Sequence, residues 1–297
     1  MENKGFDFSL SYQKMEGELN YSISTNISRV SNKITKLLGD DSFVIQGGSF
    51  HAMEYYTRTI VGSQVGEFWG YESDGIFQSQ DEVDALTYVD DNGVTQLTYG
   101  STVGPGDYRY VDQNGDGQLN EEDKVKIGSP YPDFTMGVTG DISYKGFDFN
   151  IFMYWSYGNE LFNTVKVFTE TPYEQTNMSS YMLTDAWRPD NTTATIAQLG
   201  GDRQNNYSRS SDRFIEDGSF LRFKNISLGY TIPKNVSRKV NIEKLRFYVA
   251  LQNYFTITKY SGRDPELGST WGVFVQKADL GNYTIPKTLN FGINASF

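Results

Sequence analysis

The segment DQNGDGQLNEED, Asp112 to Asp123, places oxygen-bearing side chains at the spacing of a twelve-residue calcium loop. The donors would be Asp112, Asn114, Asp116, the backbone carbonyl of Gln118, Asn120 and Asp123, around the sharp turn that Gly117 allows. The closing residue is Asp rather than Glu, and its shorter carboxylate reaches an ion less easily, which predicts a weaker site. The flanks GPGDYRYV and KVKIGSPYPDF are rich in Gly, Pro and aromatics, so the helix pair of an EF-hand is not expected. Two readings stand: a structural Ca2+ that stiffens a long loop, or an Asx-rich turn that binds nothing, since turns prefer the same residues. No catalytic set stands out; the lone His51 lacks a Ser or Cys triad companion and reads as a polar loop residue, so no enzyme is expected.

The elements that would carry this loop follow from composition and pattern. The 297 residues include no Cys, which excludes disulfides and thiolate metal sites. A net charge of -11 argues against nucleic acid as a partner. No apolar run of about 18 residues is present, so no transmembrane helix is expected. The mean hydropathy of -0.51 does not exclude a transmembrane β-barrel, whose strands alternate apolar and polar residues.

That alternation is the main signal. In FTMGVTGDISY, Phe134, Met136, Val138, Ile142 and Tyr144 share one face. After a Lys145-Gly146 turn, Phe147, Phe149, Ile151, Met153, Trp155 and Tyr157 do the same, which predicts a two-residue hairpin. GFDFSLSY and LNYSISTNIS repeat the grammar around a turn at Met15 to Gly17, and LRFYVALQNYF and LNFGINASF repeat it near the C-terminus. FLRFKNISLGYTI slips phase between Phe223 and Ile226, which predicts a bulge. A soluble sandwich also alternates. Against it stand polar faces built from Ser, Thr, Asn and Asp, aromatics such as Tyr12, Tyr144, Trp155, Tyr157, Phe255 and Tyr260 at strand ends, and short turns alternating with very long loops.

The fold class expected is all-β, an antiparallel transmembrane β-barrel segment of about seven strands with long external loops. The strands fall at about 5–13, 18–30, 134–144, 147–157, 218–232, 245–257 and 287–297. The external loops fall at about 31–133, 158–212 and 261–286. Seven strands are fewer than the smallest such barrel, at about eight, and no secretory signal follows Met1, so a longer parent chain is expected.

Several segments together resemble a family: ENKGFDFSLSY, VGEFWGYESDGIFQ, DQNGDGQLNEEDKVKIGSPYPDF, SYKGFDFNIFMYWSYGNELFN, DRFIEDGSFLRFKNISLGYTIP, LQNYFTITKYSGRDPE and LNFGINASF. The chain is similar to the C-terminal portion of a SusC/RagA-type TonB-dependent outer-membrane transporter of the Bacteroidetes. Gln64-Val65 departs from the Pro-Ile often found there. The resemblance implies a plugged barrel of about 22 strands in the outer membrane. It implies a SusD-like surface lipoprotein as lid, and energy from the TonB complex for import of oligosaccharides or peptides. It also implies that Phe297 belongs to a terminal signal read by the barrel-assembly machinery. The plug and TonB box have no counterpart in this sequence.

Candidate ligand contacts are the aromatic and charged residues of the external loops. These are Phe68, Trp69, Tyr71, Asp74 and Phe77 in the first, Trp187 and Arg188 in the second, and Tyr260, Arg263, Asp264 and Trp271 in the last. Aromatic faces and carboxylates suit sugar rings; packing among loops or against a lid is the alternative use of the same residues. The run KNVSRKVNIEKLR reads as a solvated periplasmic turn, and MSSYMLTDAW as a short external helix packed through Met and Leu. The competing functions are a soluble calcium-binding β-protein that binds surface glycans, which would need no detergent, and a passive porin, which would lack a plug.

Overall fold

The computed structural model describes residues 1–38, 44–49, 53–172, 177–268 and 271–297; His51 lies outside them. Seven long strands dominate: β1 (Glu2–Lys14), β2 (Leu19–Lys33), β3 (Phe134–Tyr144), β4 (Phe147–Tyr157), β5 (Phe220–Thr231), β6 (Lys244–Thr258) and β7 (Thr288–Ser296). They form one antiparallel sheet whose spatial order is their order in sequence. The β3–β4 turn has Lys145 at φ 46° and Gly146 at φ 90°, the left-handed pair that a two-residue hairpin requires. The expected phase slip is present as a register shift between Phe223 and Asn225, and a second shift lies between Phe152 and Met153.

Register turns the sequence alternation into rows. One row runs Phe8, Ile27, Met136, Trp155, Leu221, Ile257 across β1 to β6. A second runs Tyr12, Ile23, Gly140, Ile151, Ile226, Leu251, Leu289 across all seven strands. Among the described residues no layer covers this apolar face: Phe6, Phe8, Leu10 and Tyr12 are each 54–59% exposed, unlike the inner face of a sandwich. The opposite face is small and polar, and its side chains bond across strands. Ser11 donates to Ser24, Ser22 and Asn150 donate to Asp141, Asn225 donates to Asn150, and Arg246 pairs with Asp148. Gly229 and Gly292 leave room on this face, the first for the Arg246 guanidinium and the second for the Tyr248 ring.

At one end the connections are short. The longest of them holds the basic run as a short helix, Lys234–Ser237, and a turn with Asn241 at φ 58°. At the other end the three long loops carry structure of their own. Strands Ile45–Gly47, Thr57–Thr59, Glu67–Gly70 and Val125–Gly128 form one small sheet. Glu160–Asn163 lies between Ile215–Asp217 and Ala278–Asp279 in another. The helix expected in MSSYMLTDAW spans Met182–Asp185; Met182 is buried, but Leu183 points to solvent, so Leu does not share in its packing.

Candidate functional site

The long loops knit into one cap because their aromatic residues bury one another. Met53, Tyr56 and Phe68 of the first loop, Phe162, Val167 and Phe214 of the second, and Val275 and Ala278 of the last form a single cluster. The Phe162 ring is its hub, 4.2 Å from Tyr56, 5.6 Å from Phe214 and 5.9 Å from Phe68 between centroids. Each such ring pair adds roughly 0.5–1.5 kcal/mol beyond burial. A second cluster joins Tyr71, Ile76, Tyr108 and Tyr110 to Trp187 and Ala197.

Charged residues lock the same assembly. Arg222 of β5, whose side chain is only 4% exposed, donates to Asp264 at 2.5 Å and Glu266 at 2.6 Å of the last loop. Lys224 reaches Glu266 at 2.6 Å. Arg213 pairs with Glu170 at 2.8 Å, with its guanidinium over the Tyr108 and Phe214 rings. Lys166 pairs with Glu216 at 2.7 Å. Burial pushes the Glu216 carboxyl up, but the hydrogen bonds from Lys166, the Ser261 N–H and Asn163 outweigh it and hold the group below its ordinary value. None of Arg222, Arg213, Glu170, Lys166, Glu216 and Glu266 was expected from sequence. The available signal was a charge standing within a strand, as Arg222 and Lys224 do in FLRFKN, because a buried cation requires a partner.

The sequence candidates divide by burial. Phe68, Tyr71, Phe77, Trp187, Tyr260 and Asp264 are interior. Phe68 and Tyr71 belong to the two clusters, and Phe77 meets Tyr99 edge-on at 5.0 Å. Trp187 donates its indole N–H to Gln78. Tyr260, expected at a strand end facing lipid, is instead folded into the cap with its hydroxyl donating to Asp279 at 2.5 Å. Burial, then that carboxylate, drives the Tyr260 hydroxyl pKa upward. Asp264 is the Arg222 partner. These side chains are framework in this fold. Trp69 is half-buried beneath the Arg58 guanidinium, at 4.3 Å. Asp74, Arg188, Arg263 and Trp271 are exposed; Asp74 pairs with Arg109 and Arg188 with Asp190. Arg263 borders a recess of about 320 Å³ together with Asn163, Lys166, Tyr181 and Ser261, where side chains of two loops offer both donors and acceptors.

The Asp112–Asp123 loop closes on its own backbone. Asp112 accepts the Gly115 and Gly117 N–H groups, Asn114 that of Asp116, Asp116 that of Gln118, and Asn120 that of Glu122. Asp123 is fully buried, and its two oxygens accept the N–H groups of Gln113 and Asn120. Among the described residues no three or more of His, Cys, Asp and Glu are gathered so as to hold a metal ion. These acceptors form a hydrogen-bonded clasp. Gly117, at φ +80°, lies against Thr87 and Tyr88, so the clasp also seats the Thr87–Leu97 hairpin.

No protein-family model matches the sequence. TonB-dependent receptor P3 of Formosa agariphila is 31% identical over 307 residues, covering all of this chain and 29% of its own length. TonB-dependent receptor SusC of Bacteroides thetaiotaomicron is 30% identical over 305 residues, again across the whole chain and over 26% of its own length. The chain thus spans under a third of these relatives. The RagAB peptide transporter structure matches over 99% of this chain and 29% of that chain, with a TM-score of 0.74 and 24% identity. The RagAB peptide importer in the open-open state matches with a TM-score of 0.71 and 25% identity. Matched along its whole length, with seven long strands in one antiparallel sheet, the chain belongs to the SusC/RagA type of TonB-dependent receptors.

Proposed function

We propose that this chain is the seven-strand part of an outer-membrane importer for oligosaccharides or peptides. In this reading the importer is energised through TonB and closed by a SusD-like lipoprotein. The observation that carries the proposal is the uncovered apolar face opposite a hydrogen-bonded polar one, in a chain similar along its whole length to TonB-dependent receptors. The apolar rows face lipid, the polar face lines the lumen, and the loop cap lies outside the cell beneath the lipoprotein. Trp69, Asp74, Arg188, Arg263 and Trp271 are the accessible candidates for substrate or lid contact. Phe297, exposed beyond β7, serves as the residue read during barrel insertion. Cells expressing the complete transporter are expected to take up a labelled oligosaccharide or peptide, and to stop when the proton gradient is collapsed. Uptake unaffected by that collapse would favour a passive pore, and a complete protein that stays monomeric and soluble without detergent would overturn the membrane reading.

The clasp has its own test. Asp112→Ala with Asp116→Ala removes acceptors for three backbone N–H groups, each hydrogen bond to a charged group being worth about 1.5–3 kcal/mol. Limited proteolysis within residues 79–125 is expected to quicken severalfold while heat-modifiable gel migration stays unchanged. A structural Ca2+ in the loop is expected to slow wild-type cleavage relative to chelator; equal cleavage in calcium, in chelator and in the double variant would reject the ion's role.

A further inference from the structure

The lipid-facing side of β1 and β2 changes character at its loop-end margin. Below it the row positions are apolar, with Phe6, Phe8 and Leu10 on β1 and Ile23 and Ile27 on β2. Above it the same face carries Lys4 opposite Ser31, Arg29 opposite Phe6, and Lys33 opposite Glu2. Lys4 is thus diagonal to both Arg29 and Lys33, a separation of about 7–8 Å that long side chains bridge readily. All three are exposed. Glu2 pairs with Lys4 at 3.0 Å, while Arg29 and Lys33 have no ion-pair partner among the described residues. Three cations and one carboxylate therefore meet where the apolar band ends, in a protein of net charge -11. The neighbouring strands carry no such patch: β3 and β4 place the Phe134, Trp155 and Tyr157 rings at their loop ends, within 5.1–5.8 Å of one another.

We infer that Lys4, Arg29 and Lys33 form a binding site for the phosphate groups of an anionic outer-leaflet lipid. This rests on the membrane orientation proposed above. The apolar rows beneath would receive the acyl chains, and the guanidinium and ammonium groups would hydrogen-bond the phosphate oxygens at the depth where a headgroup begins. Charge complementarity selects this occupant, because a neutral headgroup leaves the cations uncompensated.

The experiment is native mass spectrometry of the complete transporter, released from detergent after titration with diphosphorylated lipid A or its dephosphorylated form. The wild type is expected to retain the phosphorylated lipid selectively. Each cation contributes roughly fivefold, so K4A/R29A/K33A is expected to weaken retention on the order of a hundredfold. K4R/K33R is expected to keep it, as is K234A/K239A at the opposite end of the sheet. Equal retention of the two lipids by the wild type, or undiminished retention by the triple variant, would overturn the site. Heat-modifiable migration of the wild type and of every variant is scored in parallel; a wild type that migrates so but retains both lipids equally rejects the lipid site alone, and a wild type without such migration rejects the barrel reading on which the site rests.

Discussion

Arg222→Ala is expected to release the last loop from the sheet, because it strands Asp264 and Glu266 without their cation. Arg222 bonds Thr256 on its neighbouring strand as well as both carboxylates, and Asp264 in turn accepts the N–H groups of Glu266 and Ile285. One guanidinium thus fixes residues at both ends of the loop. Removing a single partner from a buried pair of this kind costs about 3–5 kcal/mol. Hydrogen exchange across residues 259–287 is the measurement, with deprotection expected in Arg222→Ala and a smaller effect in Arg222→Lys, which keeps the charge but not the fork. Unchanged protection would mean that the apolar cluster alone holds the loop. The same bond sets a pH dependence. Burial raises the Asp264 carboxyl, but Arg222 and the two N–H groups outweigh it and hold the group below its ordinary value. With the folded value lowered, the stabilisation is complete above the unfolded carboxylate value and declines as pH falls from there through the folded one. Loop protection should therefore be flat through neutral pH and weaken only in acid.

Ile23→Arg is expected to impair the barrel where Ser24→Arg does not. The two residues are adjacent, but Ile23 lies in the apolar row with Tyr12 and Gly140, whereas Ser24 lies on the polar face and accepts a hydrogen bond from Ser11. A cation on the lipid side of a β-barrel costs up to about 2–4 kcal/mol, the amount falling toward the interfaces, whereas a lumen-facing one mainly alters selectivity. Urea titration of the complete protein in lipid vesicles would read the difference. Equal effects of the two substitutions would contradict the assignment of faces.

The strands were legible because each contains its own pattern. Phe147 to Tyr157 announces both faces of β4 without reference to any distant residue, and the Phe223 slip marked its bulge for the same reason. The cap was not legible. Phe68, Tyr71 and Trp187 lie in stretches with no sustained period, and the partners that bury them come from other loops. A solvent-facing aromatic and a core aromatic look alike in such stretches, so these rings read as ligand contacts. Asp264 and Arg222 likewise lie 42 positions apart, a pairing that no local rule predicts. The clasp was legible as a turn, since its Asx and Gly spacing is local; which oxygens meet backbone N–H groups required coordinates.

Neighbouring strands in the large sheet are successive in the chain, yet Thr57 of the first loop donates to the Phe274 carbonyl, 217 positions later. Closure of such distant contacts is slow relative to hairpin zipping. The sheet can therefore grow hairpin by hairpin as the chain arrives, while the first loop waits, its aromatic residues unsheltered, until the final one is delivered. An interval of exposed apolar surface during folding, confined to the loop end of the sheet, follows from that difference in range.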